Sequence, residues 1–244
     1  MPIPTYKVRL HSNEAITDKV HKLVFDFVEP NLFTYIPGQF VSFILPHNEG
    51  DKPVKRSYSI ANLEISSVNT KQLEIVVAYV ENGRATELFF NATPGLELEV
   101  SGPVGLLTLA QELPERVFLI GTGTGVAPYR SMLNQLKDYP NTHFHILFGA
   151  QYITDMFYLE DFYKASEASN VSFYPCLSRQ TEPPQHCHSG YVQSILEQLV
   201  PNSDTDMAYL CGNPFMVDEV FELLKNKDFT VKQVKREKYV FSKY

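Results

Sequence analysis

Val117-Phe118-Leu119-Ile120-Gly121-Thr122-Gly123-Thr124-Gly125-Val126-Ala127-Pro128, close to the midpoint of a 244-residue chain, is the stretch on which the fold turns. An apolar run suited to a buried strand meets three alternating glycines, and Pro128 then opens a segment of helical period. The reading is strand, glycine turn, helix. Glycines let a ligand approach bare backbone N–H groups, and the positive end of the following helix favours an anion, so the turn suits a nucleotide pyrophosphate. Its Gly-x-Gly-x-Gly spacing is not the Gly-x-Gly-x-x-Gly dinucleotide fingerprint. The next strand also ends in Phe148-Gly149-Ala150-Gln151, without the acidic residue that the fingerprint sets about 20 residues on. A plain tight turn is the competing reading at this point.

Downstream, strand candidates at 117–120, 143–148, 171–177, 207–211 and 230–234 alternate with helix-period stretches at 129–136, 158–165, 191–199 and 214–224. That alternation predicts an α/β domain with a five-stranded parallel sheet covered on both faces, its ligand site beyond the carboxyl ends of the strands. Three strand ends supply chemistry at the same edge as the glycine turn. Ser178-Arg179 offers a hydroxyl and a guanidinium suited to a ribose 2′-phosphate, or else is a solvated loop. Cys211-Gly212-Asn213-Pro214 places a thiol at a strand end, where cysteine commonly serves as a small apolar filler. Gly149 again permits close backbone approach.

Upstream, short strands at 6–10, 20–28, 39–45, 56–60, 73–80 and 96–100 are punctuated by Pro37-Gly38, Asn82-Gly83, Pro94-Gly95 and Gly102-Pro103. Six strands with one helical stretch, 85–91, predict a six-stranded antiparallel Greek-key barrel. Residues 109–116 read as the linker, giving domains 1–109 and 110–244. On the fourth strand, Arg56-Ser57-Tyr58-Ser59 carries a fixed cation and an aromatic face, Arg56 and Tyr58 sharing one side by alternation. Gly83-Arg84-Ala85-Thr86 opens the helical stretch, where backbone N–H groups, a hydroxyl and a cation could meet a phosphate. Either tetrapeptide has an ordinary structural explanation. Together on a barrel they suggest a flavin lying against Tyr58 with its phosphates near Arg56 and Thr86.

The bulk numbers exclude several classes. A net charge of −7 argues against a nucleic-acid or anionic-membrane surface. No apolar run approaches the roughly 18 residues of a membrane span, and the start lacks a signal-peptide core, so a cytoplasmic chain is expected. Three cysteines are too few for an iron–sulfur cluster, which then must sit on a partner. His186-Cys187-His188 has consecutive ligands, whereas zinc sites use spaced pairs, and no metal is expected there.

Arg56-Ser57-Tyr58-Ser59, the Gly121–Pro128 stretch and Cys211-Gly212-Asn213-Pro214, in that order, resemble the ferredoxin–NADP reductase superfamily over nearly the whole chain. Pro37-Gly38-Gln39 and Gly102-Pro103-Val104-Gly105 also look like its barrel turns. The resemblance implies a two-domain flavoprotein reductase without a fused iron–sulfur domain, using FAD (with FMN as the alternative) and NADPH or NADH as hydride donor. It implies that Arg56 holds flavin phosphate, Tyr58 packs on the isoalloxazine and Ser59 hydrogen-bonds near its reactive edge. Residues Gly83, Arg84, Ala85 and Thr86 would be a second phosphate contact, with Ser57 beside the first. Gly121, Thr122, Gly123, Thr124 and Gly125 would hold the dinucleotide, and Cys211 and Gly212 would line the position where hydride leaves. Hydride transfer needs the two rings stacked at roughly 3 to 3.5 Å, so the protein's task is positioning and water exclusion.

Departures from the family pattern bear on the coenzyme. Gln151 stands where many relatives carry Arg, and Tyr191 where some place a second Arg, while Ser178-Arg179 keeps the NADPH pair. The balance leans to NADPH. A terminal aromatic covers the second flavin face in relatives; Tyr239, in a Glu-x-aromatic pattern, is favoured over Tyr244. The expected partner is a small electron carrier: ferredoxin, flavodoxin or an oxygenase component. A reductase of free flavin and a non-catalytic electron-transfer subunit are the other functions left open.

Overall fold

The structure, a computed structural model, describes residues 3–29, 32–46, 53–63 and 69–239. It divides into two compact units, the first running through Thr108 and taking in Ala127–Ser131, the second comprising Leu109–Val126 and Met132–Val240.

In the first unit, period-two alternation builds strands with one face in the core. They are β1 (Thr5–Thr17), β2 (Val20–Glu29), β3 (Phe40–Ile44), β4 (Lys55–Ser59), β5 (Gln72–Ala78) and β6 (Glu97–Val104), with helix α1 (Arg84–Phe90) before the last. The antiparallel sheet has the order β4-β3-β6-β1-β2-β5. Its two outer strands are bridged just past β4, where Ala61 N donates to Glu74 O at 2.9 Å and the Asn62 amide donates to Gln72 O at 2.9 Å. The expected barrel is therefore present. Its core includes Phe25, Phe43 and Phe89, each fully buried, with Phe25 and Phe43 ring centroids 4.9 Å apart. Strand β1 runs seven residues past the expected end, because a register shift between Leu10 and Ser12 breaks the alternation that sequence reading relies on.

The second unit holds β7 (Arg116–Thr122), then, after α2 (Ala127–Met132), whose residues through Ser131 belong to the first unit, β8 (His143–Ala150), α3 (Leu159–Ala165), β9 (Val171–Leu177), β10 (His188–Ser189), α4 (Val192–Gln198), β11 (Asp206–Gly212), α5 (Pro214–Lys225) and β12 (Val234–Lys238). All its strand pairs are parallel, in the order β10-β9-β8-β7-β11-β12. The sheet has six strands, not five. The added member, β10, is a two-residue edge pairing that leaves no periodic signal. The last strand lies at Val234–Lys238 instead of 230–234. Its Val-Lys-Arg-Glu-Lys sequence reads as a polar tail, yet it is an edge strand whose charges are used locally: Arg236 lies 3.7 Å over the Phe221 ring and Lys238 pairs with Asp218. Strand order reverses at β7, which sets the ligand crevice at the carboxyl ends of β7 and its neighbours.

At the opposite end, Arg116 grips the fully buried Asp206 carboxylate in a bidentate pair, at 2.9 and 2.7 Å, and also donates to Leu199 O and Val200 O. Nearby, His145 is 8% exposed and stacks on Phe118. Burial, with His143 and Arg116 adding repulsion, pushes its imidazole down to about 4. The folded state thus binds its proton more weakly than the unfolded chain does. Stability is full above about pH 6.5 and falls as pH drops toward 4, by at most about 3 kcal/mol. Urea unfolding at pH 7 and pH 5 should show this loss, and His145→Phe should flatten it; an equal slope in both proteins would contradict the assignment.

Candidate functional site

The glycine turn occupies the expected strand end, and the glycines in and around it divide into two jobs. Strand register sets Cys211 beside Gly121 and Gly149 beside Thr122. A Cβ on Gly125 would fall 2.3 Å from Cys211 O, and one on Gly212, whose φ is +119°, 2.7 Å from Thr122 O. A Cβ on Gly149 would meet Thr122 Cγ2 at 2.9 Å. These three allow the turn to seat against β11 and β8. Gly123 differs: its φ is +52°, and nothing lies within 4 Å of where its Cβ would be, so its backbone faces open space. The alternating spacing therefore combines packed backbone at Gly125 with open backbone at Gly123. Thr122 Oγ1 accepts from Asn213 N at 3.1 Å, tying the end of β7 to the loop after β11. Asn213 in turn caps α5, accepting from Phe215 N at 2.9 Å ahead of Pro214.

Cys211 is fully buried. Burial, reinforced by Glu237, raises its thiol far above the usual range despite a Tyr239 side-chain hydrogen bond, so it is a neutral thiol near pH 7. It has the character of an apolar liner, not a nucleophile or proton donor. Glu237 pairs with Cys211 across β11 and β12, and burial pushes its carboxyl up to about 7. In the sequence Glu237 enters only as the Glu of the Glu-x-aromatic pattern at Tyr239, because its run of charges gives no sign that its carboxyl is buried. Tyr239 N donates to Gly212 O at 2.9 Å, which brings Tyr239, Gly212 and Cys211 together. Tyr244 lies outside the described residues.

Ser178 and Arg179 continue from β9 alongside the end of β8: Ser178 N and Oγ both donate to Ala150 O, at 3.0 and 3.2 Å, and Arg179 N donates to Gln151 O at 3.0 Å. The Arg179 side chain is exposed and makes no hydrogen bond or ion pair among the described residues. Tyr191, just before α4, is 64% exposed.

In the first unit, β4 presents Arg56 and Tyr58, both half-buried, on one side, while Ser57 is exposed on the other with its hydroxyl 2.9 Å from that of Ser42. Ser59 is 4% exposed. Arg56 Nη1 donates to Lys55 O at 2.9 Å, laying the guanidinium along the strand. The Tyr58 ring meets Phe89 edge-on at 5.5 Å, and burial raises its phenol well above the usual range, with Arg56 opposing. At α1 the expectation for the side chains changes. Thr86 Oγ1 donates to Val80 O and Gly83 O, at 2.8 and 2.9 Å, so its proton is committed to the turn. Arg84 is drawn to Pro46 O. Ala85 is buried. What remains for an anion is backbone: Gly83 gives no side-chain cap, leaving the first-turn N–H groups of α1 without one. The uncapped N–H groups of α1 and the half-buried Arg56 guanidinium are the candidate anion donors of this unit.

Similarity to known proteins agrees with this architecture. Residues 7–109 match the family model described as an oxidoreductase FAD-binding domain, and residues 119–222 one described as an oxidoreductase NAD-binding domain. The chain is 31% identical over 229 residues to ferredoxin–NADP reductase B of Sorangium cellulosum, covering 91% of this chain and 92% of that one. It is 27% identical to the reductase component of propane 2-monooxygenase from Rhodococcus jostii, covering 92% of this chain but 61% of that protein. Among solved structures, a ferredoxin NADP+ reductase from Neisseria gonorrhoeae with bound FAD and NADP superimposes with a TM-score of 0.84 at 18% identity, covering 96% of this chain and 98% of that one. An antiparallel barrel matching a FAD-binding family model, followed by a doubly wound sheet matching a NAD-binding one, defines a two-cofactor redox architecture. The chain belongs to the ferredoxin–NADP reductase superfamily. It is an NAD(P)H-dependent flavin oxidoreductase that uses FAD.

Proposed function

We propose that the chain passes electrons from NADPH, one hydride at a time, to a separate one-electron carrier protein such as a ferredoxin, flavodoxin or oxygenase component. When bound, FAD supplies the ability to accept two electrons and release them singly. The observation that supports the reading is that each unit, taken by itself, offers a candidate anion site: Arg56 and the uncapped turn of α1 in the first, and the open backbone at Gly123 in the second. In this reading 1–109 is the flavin domain and 110–244 the nucleotide domain. Arg56 and the backbone of Gly83–Thr86 bind flavin phosphate, Tyr58 and Ser59 bind the ring system, and Gly121–Gly125 bind the dinucleotide. Cys211 and Gly212 keep the nicotinamide position dry, Tyr239 covers a ring face, and Glu237 holds a proton near neutrality beside Cys211.

The carrier role is supported by relatives named as a ferredoxin–NADP reductase and as oxygenase reductase components. A cytoplasmic location is part of the proposal; among the described residues no helix is long and apolar enough to cross a membrane, and all three cysteines are unpaired. Gel filtration followed by turnover with a ferredoxin tests the function. Stoichiometric flavin should stay with the protein, and reduction of the carrier should need no added flavin. Loss of flavin on the column, with activity restored only by free flavin, would favour a reductase of free flavin instead.

The exposed, unengaged Arg179 carries the preference for NADPH. Arg179→Ala should raise the KM for NADPH roughly tenfold or more, the worth of a charge-assisted phosphate contact, and change that for NADH little. Equal losses with both coenzymes would remove Arg179 from the 2′-phosphate.

A further inference from the structure

A half-buried asparagine on β1 has no part in the reaction and yet is held with care. The register shift between Leu10 and Ser12 changes which side chains of β1 face inward: Leu10 pairs with Phe25 and Asn13 with Leu23, and both partners are fully buried. A bulge has re-aimed a polar amide toward the interior. There the Asn13 amide nitrogen donates to Phe89 O and to Ala92 O, each at 2.9 Å, bracketing the carboxyl end of α1. Two carbonyl acceptors fix the amide orientation, so Asn13 Oδ1 is an acceptor, and the His21 Nδ1 that lies 2.7 Å from it must carry the proton. The His21 ring also stacks on Phe90, the last residue of α1, at 4.0 Å.

The bracket reaches the proposed flavin contacts by two short paths. Helix α1 has seven residues, and its other end is the Gly83–Thr86 turn, pinned to Val80 by the Thr86 hydroxyl. Phe89, whose carbonyl Asn13 holds, sets its ring against Tyr58 at 5.5 Å and 80°, and against Phe43 at 5.2 Å. We infer that Asn13, oriented by His21, is a positioning residue for the flavin: it fixes α1 lengthwise for the phosphate and fixes Tyr58 through Phe89 for the ring. The inference rests on the flavin site of the preceding section.

Asn13→Asp keeps the shape and removes both donors. It should weaken FAD binding to the apoprotein roughly tenfold, as expected for two lost hydrogen bonds. It should also alter the visible circular dichroism of FAD at saturation, because Tyr58 shifts. Val8→Ala, a core truncation on the same strand ahead of the bulge, is the control for stability: at a comparable fall in Tm it should leave FAD affinity within about twofold. Equal weakening in both variants, or unchanged affinity in Asn13→Asp, overturns the inference. If Asn13→Asp fails to fold, His21→Phe carries the test, since it keeps the stacking on Phe90 but removes the donor to Asn13. It should weaken FAD binding roughly threefold, and no change overturns the inference. Arg56→Ala measured in parallel separates the two levels: normal FAD affinity in that variant would mean that the flavin site itself is misassigned.

Discussion

Gly125→Ala should slow reduction of the bound flavin by NADPH roughly 100-fold while leaving the flavin in place and its spectrum unchanged. The new methyl would lie 2.3 Å from Cys211 O and 2.6 Å from Gly212 Cα, both backbone atoms that cannot turn aside. The glycine turn would have to lift from β11. A displacement of about 1 Å in a group that positions a reacting ring can cost about two orders of magnitude in rate. Gly123→Ala is the matched comparison. Its φ of +52° makes alanine cost about 1 to 2 kcal/mol, but no atom lies in the way, so the loss should stay near tenfold. Stopped-flow reduction of both variants checks the contrast; similar rates would mean that the turn does not depend on its seating against β11.

Arg56→Ala should weaken FAD binding between roughly 10-fold and 100-fold, the worth of a charge-assisted hydrogen bond to phosphate. The half-buried guanidinium lies along β4 beside Tyr58, and the other anion donors proposed in that unit, the first-turn N–H groups of α1, carry no full charge. Lysine at this position should recover only part of the loss, since a point charge does not reproduce a planar fork. Titration of apoprotein with FAD measures both. Unchanged affinity in the alanine variant would separate Arg56 from the phosphate.

The main architecture was legible because both units obey simple periods. Leu23-Val24-Phe25-Asp26-Phe27 alternates as a barrel strand should, and the apolar run of β7 is continuous, as in a sheet buried on both faces. The reading lost accuracy where local chemistry overrides period. The bulge after Leu10 concealed the second half of β1 and with it the role of Asn13. The charges of edge strand β12 hid its period, which moved its bounds by four residues and concealed the burial of Glu237.

Site residues were legible as types but not as roles. Thr86 and Arg84 have the right chemistry for a phosphate, and the structure shows their side chains hydrogen-bonded to the turn and to Pro46 O, a local use that residue type does not reveal. Cys211 lies at the end of β11, as its sequence position implies, and there it is fully buried with its thiol held neutral. Most instructive is the glycine spacing. Within it Gly125 is packed against β11, while Gly149 and Gly212 seat the neighbouring strand ends, tasks that motif spacing alone does not reveal.

Anaerobic mixing of the purified, flavin-loaded protein with one equivalent of NADPH tests the central claim most directly. The visible flavin absorbance should bleach within a single turnover at a rate of roughly 1 per second or faster, and return when an oxidised one-electron carrier is added. A flavin that stays oxidised in the presence of NADPH, in protein shown to be folded, would contradict it.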